Sequence, residues 1–198
     1  MFDQGELFGV APELPQGFQY QPSLIDRDEE RELVTQIQKL PFKDFEFHGF
    51  TGKRRVVYYG FHYDFNQRTL EQANEIPAFL RPLRLVAADF AGLNEEDLRQ
   101  VLVTEYQNAG IGWHRDKAVF GDVIGVSLLS SCQLRFRRET RSGWERISIT
   151  ADPRSIYLMR GPSRTEWEHS IPDTGGLRYS VTFRTVVGRT TKRYGSFG

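Results

Sequence analysis

Residues 155–187 read SIYLMRGPSRTEWEHSIPDTGGLRYSVTFRTVV. The stretch predicts three strands, at 155–159, 166–169 and 177–187, divided by turn signals. The last of them carries the decisive alternation. Side chains two apart on a strand share a face. Arg178, Ser180, Thr182 and Arg184 therefore point one way, and Tyr179, Val181 and Phe183 the other. A charged face turned into a β-core is costly unless its charges are paired. Two guanidinium forks suit a dicarboxylate, which would pair them. The alternative is a half-exposed strand with its polar side in water.

Working outward, further short strands are expected at 100–106, 123–129, 132–138 and 145–150, with a short piece around Trp113. Strands at this spacing point to a sandwich or barrel. The front of the chain differs. Residues 1–22, with Pro12, Pro15 and Pro22, read as an extended arm over the surface. Ser23–Leu40 predicts a helix: Leu33, Val34, Ile37 and Leu40 fall at helical spacing, acids crowd its first turns and Pro41 stops it. A β-rich stretch follows, with Phe45 and Phe47 alternating, a turn over Gly49–Gly52 and a strand over Arg55–Tyr59. A second helix is expected from Pro77 to about Gly92 with Leu83, Val86, Ala87 and Phe90 as its apolar face, and a shorter one over Asn94–Arg99 with Asn94 as N-cap. The whole is an α+β chain, mainly β: one domain over 1–198, with no repeat and no low-complexity segment.

The composition belongs to a globular chain of 198 residues, 39% hydrophobic and 26% charged. Net charge is zero, which gives no general support for a polyanionic partner, but the distribution is uneven. Residues 1–50 hold ten acids against four bases, so the rest of the chain is basic. The single cysteine, Cys132, excludes an internal disulfide and makes a reducing cytosol the simplest compartment. No run approaches the roughly 18 apolar residues of a membrane span. The first residues, MFDQGELFGVAPELPQGF, lack the basic and apolar regions of a signal peptide. No obligate protein partner is evident.

Four histidines are present: His48, His62, His114 and His169. His114 stands in GWHRD, two residues before Asp116, so on an extended segment both side chains point the same way. With a third ligand from a neighbouring strand they would cap one face of an octahedral cation. Two histidines and one carboxylate leave positions open for a co-substrate and oxygen, an arrangement typical of non-heme iron(II). His169, between Trp167 and Ile171 in TEWEHSIP, is the candidate third ligand. His48 and His62 lie in the front flap with no carboxylate pattern and read as packing or substrate-side residues.

GIGWHRD, GVSLLSSCQLRFR, SIYLMRGPSRTEWEHSIP and RYSVTFR together resemble the AlkB-like 2-oxoglutarate dioxygenases. The likeness runs from about Val101 to Val187, and more loosely to the IPAFL helix and the GKRRVVYYGFHYDF flap. The resemblance implies a double-stranded β-helix, or jelly roll, over 100–187, with N-terminal helices and a β-flap at 45–66 as substrate lid. It implies Fe(II), 2-oxoglutarate and O2 as cofactor and co-substrates, and His114, Asp116 and His169 as iron ligands. It makes Arg178 the partner of the far carboxylate, Arg184 a neighbour of the chelating one, and Tyr106 a further co-substrate contact. Thr104 and Ser180 stand where the family usually has asparagines, and both keep a hydrogen-bonding side chain.

The implied reaction couples oxidative decarboxylation of 2-oxoglutarate to hydroxylation of a carbon next to nitrogen, which leaves as formaldehyde. The implied substrates are N-alkylated bases in DNA or RNA, as in repair of alkylation damage. The flap interleaves cations with Tyr58, Phe61 and Tyr63, and Arg54 and Arg55 with those rings are the candidate substrate contacts. Two further basic segments, Arg135–Arg146 and Arg189–Arg193, are candidates for phosphate contact. Where some nucleic-acid members carry an acid two residues after the metal-binding Asp, this chain has Ala118. The same chemistry on a protein or small molecule, and a jelly roll that binds without turnover, are the competing readings.

Overall fold

The computed structural model describes residues 13–47, 50–65 and 67–187. In chain order its front half contains β1 (Phe18–Gln21), α1 (Arg27–Ile37), β2 (Lys43–Phe47), β3 (Phe50–Tyr59), β4 (Phe61–Asp64), β5 (Thr69–Gln72) and α2 (Arg81–Ala91). The rear half contains β6 (Leu98–Gln107), β7 (Ile111–His114), β8 (Phe120–Leu128), β9 (Cys132–Thr140), β10 (Gly143–Ala151), β11 (Ser155–Met159), α3 (Pro162–Thr165), β12 (Glu168–Ile171) and β13 (Leu177–Val186).

Local chemistry sets the helix ends. Asp26 caps α1, accepting from the Glu29 backbone N–H at 2.8 Å while Glu29 accepts from the Asp26 N–H at 2.8 Å. The helix therefore starts four residues later than the expected Ser23: the reciprocal cap cannot form before Asp26. Pro82 sits in the first turn of α2, where its missing N–H has no helical partner to lose. Gly92 ends that helix with φ 63. The helix expected at Asn94–Arg99 is a single 3-10 turn over Glu95–Asp97, because Leu98 already pairs in β6.

Seven strands form the main sheet in the order β1-β11-β8-β13-β6-β3-β2, four form a minor sheet in the order β10-β9-β12-β7, and β4-β5 is a separate ribbon. Every pairing is antiparallel. The two larger sheets face each other as a jelly roll. Outside the main sheet, α1 and α2 bury Val34, Ile37, Leu83 and Ala87 against Tyr179, Val181 and Phe183 of β13. Between the sheets lies a second core of Phe18, Leu134, Phe136, Tyr157, Met159 and Trp167. Both faces of β13 are thus covered, which removes the half-exposed strand as a reading of residues 177–187.

Three expectations are corrected. Phe18–Gln21, read as part of a surface arm, is an edge strand on β11, because its backbone completes that ladder and Phe18 packs edge-on to Phe136 at 5.0 Å. Residues 166 and 167 precede β12, since Glu166 and Trp167 still donate to the Pro162 carbonyl. Gly52 belongs to β3, opposite Phe45, rather than to a turn. His48, Gly49 and the basic segment Arg189–Arg193 lie outside the described residues. Among those described, no helix is long and apolar enough to cross a membrane.

Candidate active site

His114 ends β7 and His169 lies directly opposite it on β12. Their ring centroids are 4.2 Å apart. Asp116 arrives from the segment just beyond β7 rather than from the strand itself. One ligand atom from each of the three lies within 4.8 Å of the others. His114 Nδ1–H donates to the Gly112 carbonyl at 2.9 Å, which leaves Nε2 as the lone-pair nitrogen. Asp116 Oδ1 accepts from Arg184 Nη2 at 2.8 Å, whereas buried Oδ2 has no hydrogen-bond partner and stands 3.7 Å from His169 Nε2.

The electrostatics suit a cation. Burial opposes ionisation of Asp116, but Arg184 and the two imidazoles outweigh it and hold the carboxyl well below the usual range. Burial, assisted by His114, lowers His169 to about 3 against the opposing pull of Asp116. His114 is lowered too, chiefly by burial. At neutral pH the cluster is one carboxylate and two neutral imidazoles, the protonation state a divalent metal requires. The unpartnered Oδ2 is the atom such an ion would satisfy.

Behind the triad the inner face of β13 builds a polar chamber. Arg178 is 0% exposed. Its Nε donates to Ser127 Oγ at 3.1 Å, but neither Nη1 nor Nη2 has a partner. A buried guanidinium with two idle donors is strongly unfavourable unless an anion meets it. The Tyr106 ring lies 4.9 Å from its Cζ. Thr104 and Ser180 are opposite each other in the β6–β13 ladder, and both line the cavity that reaches His114, Asp116 and His169. These residues and this donor set fit a dicarboxylate that also reaches a metal.

Two residues of this region were not singled out from the sequence. Tyr157 of β11 lines the chamber, and its phenol passes so close to β8 that a Cβ on Gly125 would collide with its Cζ and hydroxyl oxygen. Only a glycine at that register position lets the phenol cross. Arg164 of α3 donates through Nη2 to the carbonyls of Lys117 and Phe120 at 2.6 and 2.9 Å, which pins the segment carrying Asp116. Neither has a spacing signal, since both act across elements distant in sequence.

In front of the triad is a mouth of about 400 Å³. Arg54, Tyr58 and Tyr63 line it, together with Phe45, Phe65, Trp113 and Lys117. Arg55 does not. Adjacent strand residues point to opposite faces, and Arg55 lies on the far side, bound to Glu105 at 2.7 Å in a cluster with Tyr179. Phe61 does not line the mouth either; it takes the Arg99 guanidinium on its ring at 4.8 Å. His62 lies 3.5 Å from Glu71 on the ribbon, outside the triad. On the minor sheet, Arg137 pairs with Glu168 and Arg138 with Glu145, both at 2.7 Å, so these arginines are already engaged.

A fold of this kind, with two histidines and a carboxylate beside a buried arginine, defines an oxygenase, and the comparisons agree. The 2OG-Fe(II) oxygenase superfamily matches residues 22–184, and the chain belongs to it. Its members use Fe(II), 2-oxoglutarate and O2. Within the superfamily the chain is AlkB-like. It is 30% identical over 145 residues to the alkylated DNA repair protein ALKBH8 homolog of Arabidopsis thaliana, covering 61% of this chain and 42% of that protein. The chain therefore spans less than half the length of that relative. It is 25% identical over 193 residues to uncharacterized protein L905 of Acanthamoeba polyphaga mimivirus, covering 89% and 88% of the two chains. The solved structure of OsALKBH1 superposes with a TM-score of 0.61 at 15% identity, over 87% of this chain and 98% of that one, a likeness of fold.

Proposed function

We propose that this chain is an oxidative demethylase of N-alkylated bases in nucleic acid, with His114, Asp116 and His169 as iron ligands and 2-oxoglutarate held between the iron and Arg178. The observation that carries the co-substrate assignment is the pair of idle Arg178 nitrogens, fully buried on the same strand face as the Arg184 that grips Asp116. The nucleic-acid assignment draws support from the aromatic mouth with its cations, and from the Arabidopsis relative, whose name is that of a repair protein for alkylated DNA.

Bound Fe(II) with 2-oxoglutarate and O2 supplies the oxidising chemistry. The chain's own residues do the rest. Arg178 and Tyr106 orient the far carboxylate, with Thr104 and Ser180 beside them. Arg184 keeps Asp116 ionised and turned so that Oδ2 faces the metal. The Gly112 carbonyl fixes the His114 tautomer. The segment 45–66 works as a lid whose rings stack a base taken out of its helix.

The test is a mass-spectrometric screen of methylated single- and double-stranded oligonucleotides with the full chain, Fe(II) and 2-oxoglutarate. Loss of a methyl group with release of formaldehyde and succinate is expected. Succinate formation indifferent to any nucleic acid would move the substrate to a protein or small molecule. No succinate at all, with His114→Ala behaving like the parent, would reduce the fold to a binding module.

A further inference from the structure

Among the described residues the charged groups facing the mouth are mostly cations, and the Tyr58 and Tyr63 hydroxyls can donate or accept. Lys117 Nζ lies 5.5 Å from the Tyr63 ring centroid and 5.2 Å from that of Phe65. The Arg54 guanidinium lies over the Phe45 ring at 3.7 Å. Gln100 gives its Oε1 to Arg184 Nη1 at 2.8 Å; since arginine can only donate, its amide NH2 is the end left for a ligand. Among the described residues the one carboxylate in the lining is Asp116, with Oδ1 taken by Arg184 and Oδ2 turned to the triad. Ala118, next along the segment, adds no acid. A ligand ring here lies among aromatic side chains, faces the positive charge of Arg54 and Lys117, and finds only the two tyrosine hydroxyls as ready side-chain acceptors among the described residues.

Resting on the reading of the mouth as the substrate site, we propose that it selects a neutral N-alkyl group beside a carbonyl, the lactam arrangement of 3-methyluracil or 1-methylguanine, and rejects cationic alkylated bases. A carbonyl oxygen can accept charge-assisted hydrogen bonds from Lys117 or Arg54. The cationic bases 1-methyladenine and 3-methylcytosine bring a charge like that of Lys117 and Arg54; 3-methylcytosine keeps one carbonyl beside its methyl group, so charge is what separates it from 1-methylguanine. Fixed donors add discrimination against 1-methyladenine, which has no carbonyl to accept from them. Lys117 is the specificity-determining residue, because its neighbour Asp116 fixes its backbone at the metal and Arg164 holds its carbonyl.

The test gives the full chain, with Fe(II) and 2-oxoglutarate, four single-stranded oligonucleotides that differ only in the methylated base, and the four matching free nucleosides. A kcat/KM at least tenfold higher for 3-methyluracil and 1-methylguanine is expected. Lys117→Glu should shrink that ratio at least tenfold and Lys117→Arg should keep it. A ratio within one protein does not depend on how much of it folds, and Lys117→Met gives the same direction should the glutamate variant be lost. Fluorescence anisotropy with Mn(II) in place of iron should show the same order of affinities. Equal or better turnover of the cationic bases would overturn the proposal while leaving the demethylase reading in place. No methyl loss from any oligonucleotide or nucleoside would remove both. The same tenfold preference seen only among the free nucleosides would support the lactam selection and assign it to a small molecule.

Discussion

The chamber behind the triad and the mouth in front of it share His114, Asp116, Arg184, Arg54 and Phe45 but are for the rest largely walled differently. The chamber draws on long strands at the centre of the main sheet, where Arg178, Ser180 and Thr104 are locked by ladder register and lie buried. The mouth draws on the end of β3, the short β4–β5 ribbon and the segment after β7, and its side chains are half-buried. Register within a sheet is hard to change without turning every side chain over, whereas short ribbons and connecting segments tolerate replacement. The difference teaches that co-substrate chemistry and substrate choice are carried by separable parts of one cavity.

Four substitutions would break or sharpen that division. Asp116→Asn removes the carboxylate both regions share. Turnover should fall by about a thousandfold or more, and the variant should lose divalent metal binding in calorimetry while its circular dichroism stays that of the parent; retained turnover would sink the triad. Arg178→Met acts on the chamber alone. The 2-oxoglutarate requirement should rise roughly 30-fold to 1,000-fold, the worth of about 2–4 kcal/mol from a lost buried charge pair. Without co-substrate the same variant should melt no lower than the parent, because an unpaired buried guanidinium has been replaced by an apolar side chain of similar length. An unchanged apparent affinity for 2-oxoglutarate would remove Arg178 from the clamp.

Tyr63→Ala acts on the mouth. Loss of one stacking surface, about 1–3 kcal/mol, should raise the substrate KM about tenfold and leave the 2-oxoglutarate KM unchanged. If both constants moved together, chamber and mouth would not be separable. Arg55→Ala is the smallest test and the control for its neighbour Arg54. It should lower stability by about 1 kcal/mol through the half-exposed ion pair with Glu105, with neither KM altered. A change in substrate KM from Arg55 would contradict the strand parity that turns it away.

Much of the chamber was legible in the chain. The alternation of 177–187 reappears in the folded strand because a period of two is imposed by the backbone itself, whereas Asp116 meets His114 and His169 from the segment beyond β7. The strands of the jelly roll were readable for the same reason, to within a few residues at their ends. The mouth was less legible. Arg54 and Arg55 look equivalent in KRRVVYY, but parity separates them, and the phase of β3 is set only by its pairing with β6. Phe65, Trp113 and Lys117 come together from segments far apart, and no local pattern announces that.

The amino-acid order by itself determined the alternation of β13, the stop signals of the helices, and which residues were chemically fit to hold a cation and a dianion. Tertiary structure alone decided which of the fit residues meet. It laid β12 against β7 so that two imidazoles face each other, and used Gly125 to let Tyr157 cross into the chamber. It also had Arg164 hold the segment that delivers Asp116. The physical reason is that backbone sterics and capping act within a few residues, while packing two sheets and burying charge are settled only by contacts between distant parts of the chain.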